Sequence, residues 1–211
     1  MNKTDIVNNC LLFLGLKNIN NLGQNSEIAK IISTQYDNCL RELMDEQPYD
    51  FGYRIVSLAR IPDSIDVRQY DIRFKYAYYL PQNCMFLKYV STEGALQRYC
   101  PENDEDEYRY DRFRQVNDGK GRIIVLSNVP QAYALYYEKQ EDVNVYPIDF
   151  ANAFSMLLAV KIAQKATDQV EKLNASIQMF NYYRDIALAK SLNRQYEYKT
   201  GPKVPNFLKD R

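Results

Sequence analysis

The stretch YDNCLRELMDEQPYDFGYRIVSLAR, residues 36–60, decides how the chain is read. Its first half completes a run of apolar positions, Ile28, Ile31, Ile32, Tyr36, Cys39, Leu40, Leu43 and Met44, spaced to share one side of a helix that Ser26 caps. Pro48 disfavours helical geometry at the residue before it, which predicts the stop. An aromatic knot, Tyr49-Asp50-Phe51-Gly52, follows, and RIVSLAR then has the β-branched alternation of a strand. A helix gives way to a sheet at this point.

On the N-terminal side, Thr4 is placed to cap a first helix with Ile6, Val7, Cys10, Leu11 and Leu14 on its apolar side. Gly15 supplies its left-handed stop. On the C-terminal side, RIVSLARI, KYAYYLP, MFLKYV, RIIVLS and AYALYYEK read as strands, and NDGKG at 117–121 is a hairpin signal. PENDEDEYRYDRFR, residues 101–114, reads as a long exposed loop; its acids lack the alternate-ligand spacing and turn glycine of a calcium loop. Pro147 suits the first turn of a third helix with the stripe Phe150, Phe154, Leu157, Leu158 and Ile162. A fourth helix, from about Asp168 to Asn193, places Val170, Leu173, Ile177, Phe180, Ala187 and Leu188 on one side. These patterns predict an α+β chain. A four-helix bundle is made of residues 1–53 and 140–195, a mostly antiparallel β region is inserted at 54–139, and an extended tail spans 196–211.

The composition narrows the chemistry. Twenty-seven basic residues balance 27 acidic ones in 211 residues, without the basic excess common among nucleic-acid binders. Histidine is absent, which removes the commonest general base at neutral pH, Ser/His and Cys/His nucleophile pairs and most zinc sites. Cys10, Cys39, Cys84 and Cys100 are widely spaced and read as small buried hydrophobes in a reducing compartment. No N-terminal apolar segment and no run of about 18 apolar residues stands out, so neither a signal peptide nor a membrane span is expected. Gly119 and Gly121 flank a lysine between strands, the setting of a hairpin and not of a phosphate loop. No metal or cofactor is implied. Glu42, Asp45 and Glu46 fall at the polar end of an amphipathic helix, where three acids are most simply a solvated face. The abundant tyrosines of the β region, with apolar bodies and polar tips, suit half-buried sheets and protein interfaces.

Several short motifs occur in a set order: Phe13-Leu14-Gly15; Tyr36-Asp37 followed by Leu40 and Leu43; Pro48-Tyr49-Asp50-Phe51-Gly52; Leu58-Ala59; Tyr79-Leu80-Pro81-Gln82-Asn83-Cys84; Pro147-Ile148-Asp149-Phe150; and Leu158-Ala159-Val160-Lys161-Ile162-Ala163. In that order they resemble the head–tail adaptor proteins of short-tailed phages, the tail tubular protein A family. At Tyr49 that family more often carries Trp, and the acidic stretch 102–107 is peculiar to this chain. The resemblance implies a virion protein at the head–tail junction, assembled in host cytoplasm, forming a ring of twelve copies beneath the portal. Its partners would be the portal protein, neighbouring copies of itself and downstream tail or nozzle proteins. Double-stranded DNA would pass through without specific binding, and no membrane is involved. On this reading the chain is no enzyme. Pro48, Tyr49 and Phe51 pack a helix–sheet junction, and the tail, with Tyr196, Tyr198, Lys199, Lys203, Phe207 and Leu208, docks the portal or a neighbouring subunit. Two other classes stay open: a carboxylate-dependent peptidoglycan hydrolase using Glu42, Glu46 or an acid of 102–107, and a DNA-binding accessory factor.

Overall fold

The computed structural model describes the chain apart from residues 47, 63–65, 94–111, 168 and 200–211; at 164 and 195–199 it describes the backbone alone. The chain divides into two compact units, Met1–Phe51 with Gln140–Gln195 and a second centred on Gly52–Lys139.

Four α-helices lie among the described residues of the first part: α1 (Lys3–Leu14), α2 (Glu27–Glu46), α3 (Ile148–Thr167) and α4 (Val170–Lys199). Asn2, not Thr4, caps α1: its side chain accepts from the Asp5 amide at 2.9 Å, while the Asp5 carboxylate accepts from the Asn2 amide at 2.7 Å. That reciprocal box satisfies two orphan donors at once, which a lone threonine cannot match. Gly15 ends the helix at φ +73°. Ser26 Oγ accepts from the Ala29 amide at the start of α2. The helix α3 is the centre of the unit, with α1 and α2 packed on it. Phe150, Ala151, Ala153, Phe154, Leu158, Ala159, Ile162 and Ala163 are wholly buried along it. The alanines allow the neighbouring helices to approach closely.

The expected four-helix bundle is not what forms. A bundle needs each helix to bury an apolar stripe against two neighbours, and α4 does not. Val170 is 71% exposed and Ile177 40% exposed, while the buried positions among the described side chains of α4 are Ser176, Ala187 and Ser191. Among the described residues, the α+β chain has two separate three-stranded antiparallel sheets. The extended tail is also corrected at its start, because α4 continues through Lys199 and makes Tyr196, Tyr198 and Lys199 helical. Lys203, Phe207 and Leu208 lie outside the described residues.

In the second unit, β1 (Tyr53–Ser57), β6 (Tyr133–Glu138) and β3 (Cys84–Ser91) form one sheet in that order. The other sheet runs β2 (Tyr76–Tyr79), β5 (Ile123–Ser127), β4 (Phe113–Asn117). Pairing of Tyr53 with Tyr137 and Ile55 with Leu135 sets the register of the first sheet. One shared core holds Leu58, Leu87, Val90, Ala134 and Tyr136 from the first sheet's side with Tyr78 and Val125 from the second. On the second sheet's other side, Ala77, Ile124 and Leu126 are covered by Ile61 and Phe74. The β4–β5 hairpin turns on Gly119 (φ +75°) and Gly121 (φ +82°), a left-handed geometry that glycine adopts at little cost. No helix among the described residues is long and apolar enough to cross a membrane.

Candidate functional site

In the helical unit, residues from distant stretches converge on Phe150. Tyr49 meets its ring edge-on at 4.8 Å between centroids, Phe51 at 4.9 Å and Tyr146 at 4.9 Å. Phe51 also stacks on Tyr49 at 5.7 Å, and Phe154 extends the cluster to Tyr36 at 4.9 Å. Edge-to-face pairs at such spacings add about 0.5–1.5 kcal/mol each beyond area burial. Burial pushes the Tyr146 phenol well above its ordinary range, with the neighbouring Tyr36 phenol and acidic groups adding to it. That hydroxyl donates to the Gln140 carbonyl at 2.7 Å. Tyr36 is raised in the same way, and its Oη is buried with no hydrogen-bond partner among the described residues. These phenols stay neutral and serve as packing. Pro48, half-buried, leads into the cluster.

Between Tyr49 and Phe51, Asp50 holds the far end of α4. Its carboxylate accepts from Arg194 Nε at 2.7 Å, Arg194 Nη2 at 3.0 Å and Ser191 Oγ at 3.1 Å, while its amide donates to Ser191 Oγ at 2.8 Å. The partners are 144 and 141 residues apart, so no local pattern announces them.

Two of the three helix acids are engaged in ion pairs. Glu42 accepts from Lys161 Nζ at 2.8 Å and Glu46 from Arg184 Nη1 at 3.3 Å, both with carboxylates about half exposed, 53% and 43%. A glycosidic general acid must be desolvated to hold its proton near neutrality, and neither position offers that. The acids of 102–107 lie outside the described residues.

The β unit contains charge networks that the sequence reading missed. Glu138, 9% exposed, accepts from Arg54 Nε at 2.7 Å, and Tyr136 Oη lies 3.3 Å from it. Asp71, also 9% exposed, is gripped by Arg73 at 2.7 Å and by Arg114 at 3.0 Å. The alternation of charge with apolar residues in Asp71-Ile72-Arg73 was the available signal for the first of those contacts. Glycine is required at position 52, because a Cβ there would lie 2.2 Å from Tyr137 Cε2. In the Leu80–Cys84 motif the Cys84 amide closes a turn onto the Pro81 carbonyl at 3.1 Å.

Cys10, Cys39 and Cys84 are free thiols, the first two buried. Burial pushes Cys10 and Cys39 up to about 12 and Cys84 up to about 11, which makes all three poor nucleophiles. Cys100 lies outside the described residues. Among the described residues, no group of three Cys, Asp or Glu side chains is arranged to hold a metal ion. Among the described residues, the geometry includes a packing centre round Phe150 and a set of ion-pair locks. No protein-family model matches the chain, and no curated protein matches it as a relative.

Proposed function

We propose that the chain is a structural head-to-tail adaptor of a short-tailed phage, assembling as a ring under the portal, extending the DNA channel and supporting tail attachment. The observation that carries this reading is where the resemblance motifs meet. Tyr49 and Phe51 of the Pro-aromatic turn contact Phe150 of the Pro-x-x-Phe helix start, and Tyr36 of the Tyr-Asp motif contacts Phe154. Stretches about a hundred residues apart in sequence thus form one constellation, as a family signature that encodes a fold should. The placement of Glu42 and Glu46 in half-exposed ion pairs supports a scaffold role over carbohydrate hydrolysis.

In this role the partners are the portal protein, further copies of the chain and downstream tail proteins, with double-stranded DNA passing without sequence-specific binding. The segment 196–211, with Tyr196, Tyr198, Lys199, Lys203, Phe207 and Leu208, is the docking element for portal or neighbour. Co-expression with the portal protein of the same genome, followed by sedimentation velocity and negative-stain imaging, is the test. A portal-bound ring, of twelve copies by the resemblance, is the expected result. A chain that stays monomeric with and without portal overturns the proposal. Ring assembly that survives deletion of 196–211 removes the tail from it.

A further inference from the structure

Zero net charge conceals an uneven distribution. The chain balances 27 basic against 27 acidic residues, yet segments 66–75 and 112–122 of the β unit together hold seven cations and three carboxylates. Two of those carboxylates lie beneath the cations: the Asp71 side chain is 6% exposed and the Asp118 side chain 4%. The arginines they hold face outward, with side chains 71% exposed at Arg73, 54% at Arg114 and 49% at Arg122.

The construction orients these guanidinium groups. Asp71 accepts from Arg73 Nε at 3.0 Å and Nη2 at 2.7 Å, and from Arg114 Nη1 at 3.0 Å, so one carboxylate anchors two cations. Asp118 Oδ2 accepts from Arg122 Nε at 2.7 Å, and its Oδ1 accepts from the backbone amides of Lys120 and Arg122 at the hairpin tip. The Tyr70 hydroxyl donates to the Asp118 carbonyl at 3.4 Å, tying the loop that bears Arg73 to that tip. Asp71 balances two arginines with one carboxylate. Here a surplus of positive charge sits on side chains already fixed in direction, and an arginine so held keeps further N–H donors for a second planar or tetrahedral oxyanion.

The surroundings select the kind of anion. A protein interface is built round an apolar core, and Ile72 is the one large apolar side chain that these two segments expose. Phosphate-backbone contact requires no such core and is made chiefly by arginine, lysine and polar donors.

We propose that the face formed by segments 66–75 and 112–122 is a contact surface for the phosphate backbone of duplex nucleic acid, used without regard to base sequence. It goes beyond the ring reading and stands on the charge geometry alone. Binding of a fluorescein-labelled 30-base-pair duplex of arbitrary sequence, followed by anisotropy from 50 to 300 mM salt, is the test. For about four phosphate contacts, log K against log salt should fall with a slope of about −3 to −4, equally for a second, unrelated sequence. The double change Arg73→Gln/Arg114→Gln should weaken binding at least tenfold at 50 mM salt and flatten the slope by about 2. Because that pair also grips Asp71, Lys120→Glu at the exposed turn provides a variant with an intact fold and should weaken binding several-fold. Lys30→Gln, on the exposed side of α2, should leave it unchanged. Absence of salt-dependent duplex binding overturns the proposal. So does equal loss in Lys30→Gln and Lys120→Glu, or equal binding of labelled poly-glutamate and duplex. Failure of portal assembly would leave each of these outcomes readable.

Discussion

The paired carboxylates of the helical unit are more exposed than those of the β unit. In the helical unit Glu42 and Glu46 sit half exposed over an interior of rings and aliphatic side chains. In the β unit Asp71, Asp118 and Glu138 have side chains between 4% and 11% exposed, each under an arginine that faces water. One unit keeps Glu42 and Glu46 at its rim, while Asp50 and Asp149 are partly covered in ion pairs with Arg194 and Lys190. The other holds Asp71 and Asp118 in turns and Glu138 at the end of β6, each little exposed beneath an arginine, so losing the partner leaves a poorly solvated charge. The two should therefore break under different insults.

The largest effect belongs to the ring at the centre of the helical unit. Phe150→Ala removes the partner shared by Tyr49, Phe51 and Tyr146 and should cost about 3–5 kcal/mol, read as a fall in the urea midpoint of the far-ultraviolet helical signal. A loss below about 1 kcal/mol would mean the cluster collapses on itself, and the contrast between the units would lose one side.

Next comes Gly52→Ala in the β unit. The added methyl meets the wholly buried Tyr137 ring at 2.2 Å, and overpacking of that kind costs about 1–3 kcal/mol. Pairing it with Tyr137→Leu should return part of the loss, because the smaller side chain vacates the space. If thermal melts of the single and double variants show no such recovery, the close approach is not what makes position 52 glycine.

Much of the helical unit was legible in advance because its determinants are local. The Phe150–Ile162 stripe, the Gly15 stop and the Ser26 cap each follow from spacing within a few residues. The capping box Asn2–Asp5 was equally local and was passed over for Thr4. The bundle failed for a different reason. The stripe of α4 has helical period, but period records which residues share a side, not whether anything covers them. Val170 and Ile177 stay exposed although their spacing suits a core. The locks Asp50–Arg194, Asp71–Arg114 and Arg54–Glu138 join residues 144, 43 and 84 apart, and pairing over such distances is fixed only by the tertiary fold. The basic face was half legible. Counting charge by segment separates residues 66–75 and 112–122 from the neutral whole, but which carboxylates lie beneath which arginines does not follow from a count.

Acid should separate the units in a third way. The Asp71 carboxyl is held well below the usual carboxylate range, first by the Arg73 side-chain and backbone hydrogen bonds and then by Arg114. A folded value below the unfolded one gives a contribution that is complete above about pH 5 and is lost as pH falls through the unfolded value and then the folded one. Wild type should therefore be more stable than Asp71→Asn at neutral pH, with the gap in melting temperature narrowing steadily from pH 5 towards pH 2.5. A gap that stays constant over that range would show that Asp71 acts by shape and not by charge.

The smallest effect should come from the rim of the helical unit. Lys161 Nζ and Glu42 approach to 2.8 Å, but their side chains are 36% and 53% exposed, so water screens the attraction and ordering two long side chains offsets it. Glu42→Gln should shift stability by no more than about 1 kcal/mol in either direction, and any shift should shrink as salt is raised, because exposed pairs are screened within about 10 Å at 0.1 M. The same variant probes chemistry without disturbing the fold. Clearing of a peptidoglycan gel by wild type that is lost in Glu42→Gln, with the melting temperature unchanged, would turn a solvated surface acid into a working one. A rim carboxylate would then do what only a desolvated carboxylate is expected to do.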